Sequence, residues 1–436
     1  MKKSCLYLQQ KINPIKSMKN LNTLLLLLVL LIGIPEINAQ KKESPVSIKF
    51  GGYVHSLFTY DTRQTVSARE GHILLYPKNE ELDAAGKDIN EGGVYNMAVI
   101  QSRVNAKITG PEILGAKTRG LLEAEFIGNG ESDVNGMRLR HAYVNLDWGK
   151  TSLLIGQTWS PLFVAEVFPA TVGANAGLPF KPFARNPQVR LTHKTDNWKF
   201  LAAIASERDY TSAGPDGSSN KYLRNAGLPI FQGQVHYYAG KHLFGASGEF
   251  KTLKPSMKST TVDSEGNTLK WKNDETISSW ALMGYFKLNF EPVTFKAQTT
   301  YGTNLTDVLM LGGYAVKSLN PISNEASYTG IKVLGTWAEL SYKKNGWEYA
   351  LLGGYSKNMG AEDNVVATNL IYSRGKDIGE LYRIAPRVCK KINNLKFELE
   401  TEYTAAAYGD VTEKAEVENT NWVGNMRVSL GVYYFF

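Results

Sequence analysis

The sequence predicts an all-β fold, a transmembrane antiparallel β-barrel of about 16 strands. Three observations carry the prediction. Segments of about ten residues alternate apolar and polar with period two, which sends successive side chains to opposite faces of a strand. The connections between them alternate short and long, as in outer-membrane barrels with short periplasmic turns and long extracellular loops. The chain ends on the last such segment, at Tyr433-Tyr434-Phe435-Phe436, where a water-soluble chain usually frays into polar residues.

Composition agrees and excludes other classes. The 436 residues include 40 Gly and 23 Tyr, with 43% hydrophobic and 21% charged residues. That is too apolar for global disorder. Mean hydropathy is −0.26, too low for a bundle of helical spans. The net charge is +8, but a basic leader supplies half of it. Lys2, Lys3, Lys11, Lys16 and Lys19 precede the apolar run Leu24 to Ile34, and Ile37-Asn38-Ala39 offers a cleavage site before Gln40. We read 1–39 as a secretory signal peptide, with Met18 a more ordinary start than Met1 and an uncleaved anchor helix as the alternative. Residues 40–436 then form one barrel domain of net charge about +4, which removes the main argument for nucleic-acid binding. Cys389 is alone after the leader, so no intrachain disulfide is expected.

The segments lie at about 46–60, 96–108, 118–128, 137–148, 151–158, 187–194, 197–206, 228–239, 243–253, 276–290, 293–303, 326–343, 346–356, 378–391, 394–407 and 421–436. Near residue 100, Ala98, Ile100, Val104, Ala106 and Ile108 share one face, and Gln101, Arg103, Asn105 and Lys107 the other. Trp280, Leu282, Gly284, Phe286, Leu288 and Phe290 oppose Met283, Tyr285, Lys287 and Asn289. The last segment sets Met426, Val428, Leu430, Val432 and Tyr434 against Arg427, Ser429 and Gly431. Gly, Asn, Asp and Pro mark the short turns, at 149–150, 195–197, 240–242, 291–292, 345–346 and 392–394. The long connections fall near 61–95, 129–136, 159–186, 207–227, 254–275, 304–325, 357–377 and 408–420. Trp148, Trp198, Phe290, Trp347, Tyr349 and Tyr434 stand beside the short turns, as girdle residues would. Phe436 fits the terminal aromatic read by the barrel assembly machinery, and outer-membrane lipid is the expected surrounding.

Chemical motifs are absent from the sequence. There is no HExxH, CxxC, P-loop or GxSxG, and the six His are scattered, so no catalytic residue, metal or cofactor is expected. The polar face instead carries charges of both signs. Its basic members are Arg103, Lys107, Arg190, Lys251, Lys296, Arg383, Arg387 and Arg427; Glu123, Glu125, Glu249, Glu339, Glu398, Glu400 and Glu402 oppose them. Either they form a cross-strand ladder that stiffens the wall, or ions feel them. The stretch 159–186 is apolar for a loop, with Leu162, Phe163, Val164, Phe168, Phe180 and Phe183. It is expected to fold into the barrel as a constriction, carrying Lys181 and Arg185 against Glu166.

The run Met137-Arg138-Leu139-Arg140-His141-Ala142-Tyr143-Val144-Asn145-Leu146-Asp147-Trp148-Gly149, followed by Leu154-Ile155-Gly156-Gln157-Thr158-Trp159-Ser160, resembles the DcaP-like outer-membrane porins. So do Ser102 to Pro111 and Leu122-Glu123-Ala124-Glu125-Phe126. The resemblance implies a sixteen-stranded, homotrimeric channel for small anionic solutes such as dicarboxylates, in the outer membrane of a Gram-negative bacterium. Little chain separates Gln40 from the first strand, so the periplasmic extension of some members is not expected. Arg138 and Arg140 share parity with apolar Ala142, Val144 and Leu146, so either a bulge resets the face or the pair lies above the lipid band.

Two functions follow. One is a porin for small polar solutes, mildly anion-preferring, with Lys181 and Arg185 setting the preference and Arg103, Arg190, Arg383, Arg387 and Arg427 along the path. The other is a structural or adhesive barrel with a blocked lumen, binding a partner through its loops.

Overall fold

The computed structural model describes residues 46–436; the signal-peptide reading and the choice between Met1 and Met18 lie outside the described residues. Sixteen antiparallel strands close into a barrel. They are β1 (Ser47–Arg63), β2 (Glu91–Ala98 and Arg103–Thr109), β3 (Lys117–Glu125), β4 (Arg138–Asp147), β5 (Thr151–Trp159), β6 (Arg185–Lys194), β7 (Trp198–Ala205) and β8 (Ile230–Ala239). The circuit continues with β9 (His242–Leu253), β10 (Ile277–Phe290), β11 (Val293–Thr303), β12 (Ala326–Lys344), β13 (Trp347–Ala361), β14 (Ile378–Ile392), β15 (Leu395–Val411) and β16 (Val417–Phe435). Each strand pairs with the next, and β16 pairs with β1 from Tyr53↔Phe435 to Asp61↔Arg427. Closure leaves no strand edge, which a hydrocarbon surrounding requires.

The alternation runs opposite to that of a soluble protein. In β16, Asn425, Arg427 and Ser429 are buried inside while Met426, Val428 and Leu430 are exposed outside. Phe200, Phe231, Phe250, Leu282, Leu340, Leu351 and Leu399 extend that exposed apolar surface around the barrel. Acyl chains, not water, suit it. The turns at one end are tight. Asn345 and Gly346, both at positive φ, join Lys344 to its partner Trp347 in the Asn-Gly geometry that matches strand twist.

Two places depart from the expected alternation. Segment 96–108 is broken at 99–102, because four residues there face only 54–56 of β1. The extra residue shifts the phase, and Ile100 is buried inside rather than sharing the outer face with Val104. The second is a register shift between β3 and β4, where Glu123 faces His141 but Ala124 faces Leu139. That bulge turns Arg138, Arg140 and His141 all inward.

The long loops are numbered L1 to L8 in chain order, and L1, L3 and L6 bury apolar segments against the inner wall. L1 (64–90) contributes a hairpin, Thr65–Ala68 with Ile73–Pro77, whose Ile73, Leu74 and Leu75 are buried. L3 (160–184) buries Leu162, Val164, Val167, Leu178 and Phe180, and L6 (304–325) buries Leu305 and Val308 to Leu311. They join one apolar cluster with the wall residues Val333, Trp337, Leu352 and Ala385. L4 (206–229) carries the short helix α1 (Lys221–Ala226), and L5 (254–276) a projecting hairpin, Lys258–Val262 with Thr268–Lys272.

Candidate functional site

The inner face of β2 to β6 gathers a dense cluster of guanidinium groups. Arg140, inward because of the β4 bulge, donates from Nε to Glu123 at 2.8 Å and from Nη1 to Glu125 at 2.6 Å. Arg103 reaches the same two carboxylates at 3.6 and 3.1 Å. Arg185 lies 3.6 Å from Glu125 and donates to Asp209 of L4 at 3.0 Å, and Arg138 pairs with the other oxygen of Asp209. Four cations thus share three carboxylates. Trp159 and Tyr53 supply aromatic faces, 4.6 Å from Arg185 and 5.0 Å from Arg103. Arg103 and Glu123 keep the most water access, with side chains 17% and 13% exposed.

Toward the short-turn end, a cavity of about 510 Å³ opens between L3 and the walls of β3 to β8. Its lining includes Arg119, Lys150, Arg190, Lys194 and Lys199, against the acids Asp147 and Glu166. Lys199 pairs with Glu166, which sits on L3. Burial works against the charge on Glu166, but Lys199 outweighs it and holds the carboxyl below its usual range. Arg119, Lys150, Arg190 and Lys194 have no carboxylate at ion-pair distance among the described residues, and Arg190 Nε is buried without a hydrogen-bond partner. The cavity therefore carries a surplus of positive charge in partly desolvated walls, where charges act more strongly than in water.

L3 itself does not present its lysine to that space. Lys181 is 0% exposed, its Nζ 3.8 Å from the centre of the Phe163 ring and without a hydrogen-bond partner. Burial pushes its amine well below the usual lysine value. Arg185 is 1% exposed and bound in the cluster just described. The expectation that Lys181 and Arg185 stand free at a narrowest point is corrected by the packing: the apolar residues of L3 fold over the lysine, and Glu125 and Asp209 occupy the arginine.

The remaining sequence-predicted arginines lie on β14 and β16, and each is committed. Arg427 forms a bidentate pair with Asp61 of β1, not with the β15 glutamates. Arg387 donates to Glu398 at 3.0 Å and also pairs with Glu348. Arg383 donates to loop carbonyls, with Glu402 3.7 Å away as its counter-charge. The acids of this wall also hold L3: Glu339 accepts from Ala170 N at 2.7 Å, Glu400 from Val172 N at 3.4 Å and Glu402 from Asn175 Nδ2 at 3.1 Å. The site thus unites Arg103, Arg185 and Arg190 with Arg119, Arg138, Arg140 and Asp209, which sequence reasoning left out or left undecided. Arg119 shares parity with Glu123 and Glu125, a signal the alternation already held; Asp209, on a loop, had none.

A family model of the DcaP outer membrane protein matches residues 4–221, half of the chain. The chain belongs to the DcaP outer membrane protein family. None of the curated proteins matches it significantly. Among solved structures it is similar to the outer membrane channel DcaP of Acinetobacter baumannii, at 14% identity and TM-score 0.64, covering 91% of this chain and 99% of that one. It is also similar to the anion-selective porin of Comamonas acidovorans, at 13% identity and TM-score 0.55 over 90% and 100% of the two chains. OmpT of Vibrio cholerae in its trimer form matches at 10% identity and TM-score 0.53, again over 90% and 100%. These likenesses establish the porin fold, and the family places the barrel in the Gram-negative outer membrane, with the long loops outside and the short turns in the periplasm.

Proposed function

We propose that this member of the DcaP family is a diffusion channel for small polar solutes that prefers anions, small carboxylates among them. The observation that carries the reading is the periplasmic cavity, where Arg119, Lys150, Arg190 and Lys194 stand without carboxylate partners among the described residues. Guanidinium groups offer paired donors that match a carboxylate, and Arg119 and Arg190 both line the cavity. Arg103, the most exposed cation of the cluster, continues the path toward the outside, with L3 as the constriction beside it. At physiological ionic strength fields fade over about 8 Å, so charges lining the passage govern selectivity and distant ones do not. The anion-selective and trimeric porins among the structural neighbours accord with this reading and with a homotrimer.

Reversal potentials across a salt gradient in planar bilayers test it. An anion/cation permeability ratio above one is expected; a ratio below one would refute the preference. The apolar packing of L1, L3 and L6 inside the barrel favours a second reading, a barrel whose lumen is filled and whose loops bind a partner. Stable conductance steps from the purified protein exclude that alternative.

A further inference from the structure

Arg383 differs from every other inward arginine of its wall. Arg387 and Arg427 are taken up by carboxylates of neighbouring strands. Arg383, 1% exposed, spends its donors on the backbones of two different loops. Nη1 donates to the carbonyl of Leu178 in L3 at 2.7 Å, and Nη2 lies 3.3 Å from the carbonyls of both Leu74 and Leu75 in L1. Nε donates to Thr404 at 2.8 Å, which fixes the plane of the fork. Glu402, 3.7 Å from Nη2, supplies the counter-charge while itself holding Asn175 of L3. A guanidinium presents five N–H donors in one rigid plane, so one side chain reaches both loops; an ammonium on a flexible stem does not reproduce this.

The wall beside it is shaped for the same loop. Phe180 of L3 lies across Gly335 of β12 and Gly354 of β13. A Cβ on Gly354 would stand 2.5 Å from the Phe180 ring, and one on Gly335 would stand 2.8 Å from its carbonyl oxygen. The ring also lies 5.4 Å from the Arg383 guanidinium. Gly354 admits the Phe180 ring, Gly335 admits its carbonyl together with the Met310 methyl of L6, and one arginine grips the adjacent backbone; these are independent features of β13, β12 and β14, and they serve the same short stretch of L3.

We propose that Arg383 is a positioning residue that clamps L1 and L3 together against the β12–β14 wall and so sets the bore of the channel. The inference rests on the channel reading above. Arg383 meets no solute: the cavity and the cationic wall lie along β2 to β8, whereas the clamp holds the obstruction that faces them. Releasing it widens the passage before it alters the charges that line the cavity.

The experiment compares full-length wild type with Arg383→Gln, Arg383→Lys and, as a control at the short turns that touches neither loop, Lys241→Ala. Each is purified as a folded barrel, and single-channel conductance is read in planar bilayers together with hydrogen exchange over 168–182. Arg383→Gln should raise the conductance by about twofold or more, with added substates. Exchange in that segment should be faster. Arg383→Lys should fall between it and wild type, and Lys241→Ala should match wild type. A residue needed only for folding would lower the yield of barrels without changing the conductance of each. If Arg383→Gln does not assemble, Gly354→Leu displaces Phe180 from the other side and should produce the same two changes. Folded variants with wild-type conductance and wild-type exchange overturn the clamp, whatever the selectivity. A silent wild type beside a conducting Arg383→Gln sustains the clamp and refutes the open-channel reading. If all are silent, exchange alone decides.

Discussion

The inner face of this barrel is made by one alternation and used in two ways. Along β3 to β7 and their short turns, Arg119, Lys150, Arg190, Lys194 and Lys199 face a cavity, and these cations outnumber the acids Asp147 and Glu166. Along β11 to β16 the inward charges are covered by L1 and L3, and Glu339, Glu400 and Glu402 accept from L3 N–H groups, Glu339 while also pairing with Lys296. Parity makes both sets lumenal; only the first stays within reach of a solute. The difference shows that an inward charge in a wide barrel has two fates, solute contact or loop attachment, and that a covering loop decides between them. A carboxylate accepting backbone and amide N–H groups is a strong tether for a chain segment with few charges of its own.

The sharpest way to break this comparison is within the cationic wall. Asp209 stands between Arg138 and Arg185, all three buried. Asp209→Asn should leave two guanidiniums short of counter-charge and cost about 3–5 kcal/mol, read as a lowered thermal midpoint of the detergent-solubilised barrel. A shift no larger than that of a surface variant would show that water reaches the cluster.

Selectivity should follow the cavity and not L3. Arg190→Glu should lower the anion/cation permeability ratio by about twofold or more, because it inverts an unpaired charge in the lining. Lys181→Met should leave the ratio unchanged in the same reversal-potential measurement. The opposite ranking would return the selectivity to L3.

A pH effect separates the loops from the wall. Glu207 of L4 accepts from Ser212 and lies near Asp307 and Lys251. Burial, then Asp307, push its carboxyl up to about 7 against the pull of Lys251. A raised carboxyl pKa in the folded chain stabilises it at low pH, where the folded form keeps the proton. That stabilisation is lost as pH rises from the ordinary carboxyl value toward 7. Hydrogen exchange over 206–229 should therefore be slower at pH 5 than at pH 8, and Glu207→Gln should remove most of the difference. An equal pH response in wild type and variant would assign the effect elsewhere.

Two smaller effects calibrate the scale. Lys181→Met replaces a buried, unpartnered amine by an apolar chain of similar length and should raise stability by about 1 kcal/mol. Lys241 and Glu291 form a pair between adjacent short turns with side chains 67% and 69% exposed. Lys241→Ala should change the thermal midpoint by less than the equivalent of about 0.5 kcal/mol.

Much of the fold was legible because barrel strands obey a local rule. Each of the sixteen expected segments corresponds to a strand, and the alternating lengths of the connections located both ends of the barrel. Where the reading slipped, at Ile100 and at Arg138 and Arg140, one added residue on one strand had changed the phase. A bulge is defined by the count on the partner strand, which the strand's own residues do not record.

The sequence by itself determined the barrel, its strand count, its lipid-facing belt and the pool of charges that point inward, since period-two alternation and turn chemistry are properties of neighbouring residues. Tertiary structure alone decided which of those charges remain available. Lys181 is sealed under Phe163, Arg383 holds two loops more than 200 residues away along the chain, and Arg190 lines the cavity. The physical reason is that electrostatic availability depends on what covers a charge and what pairs with it, and both are set by contacts between segments far apart in sequence.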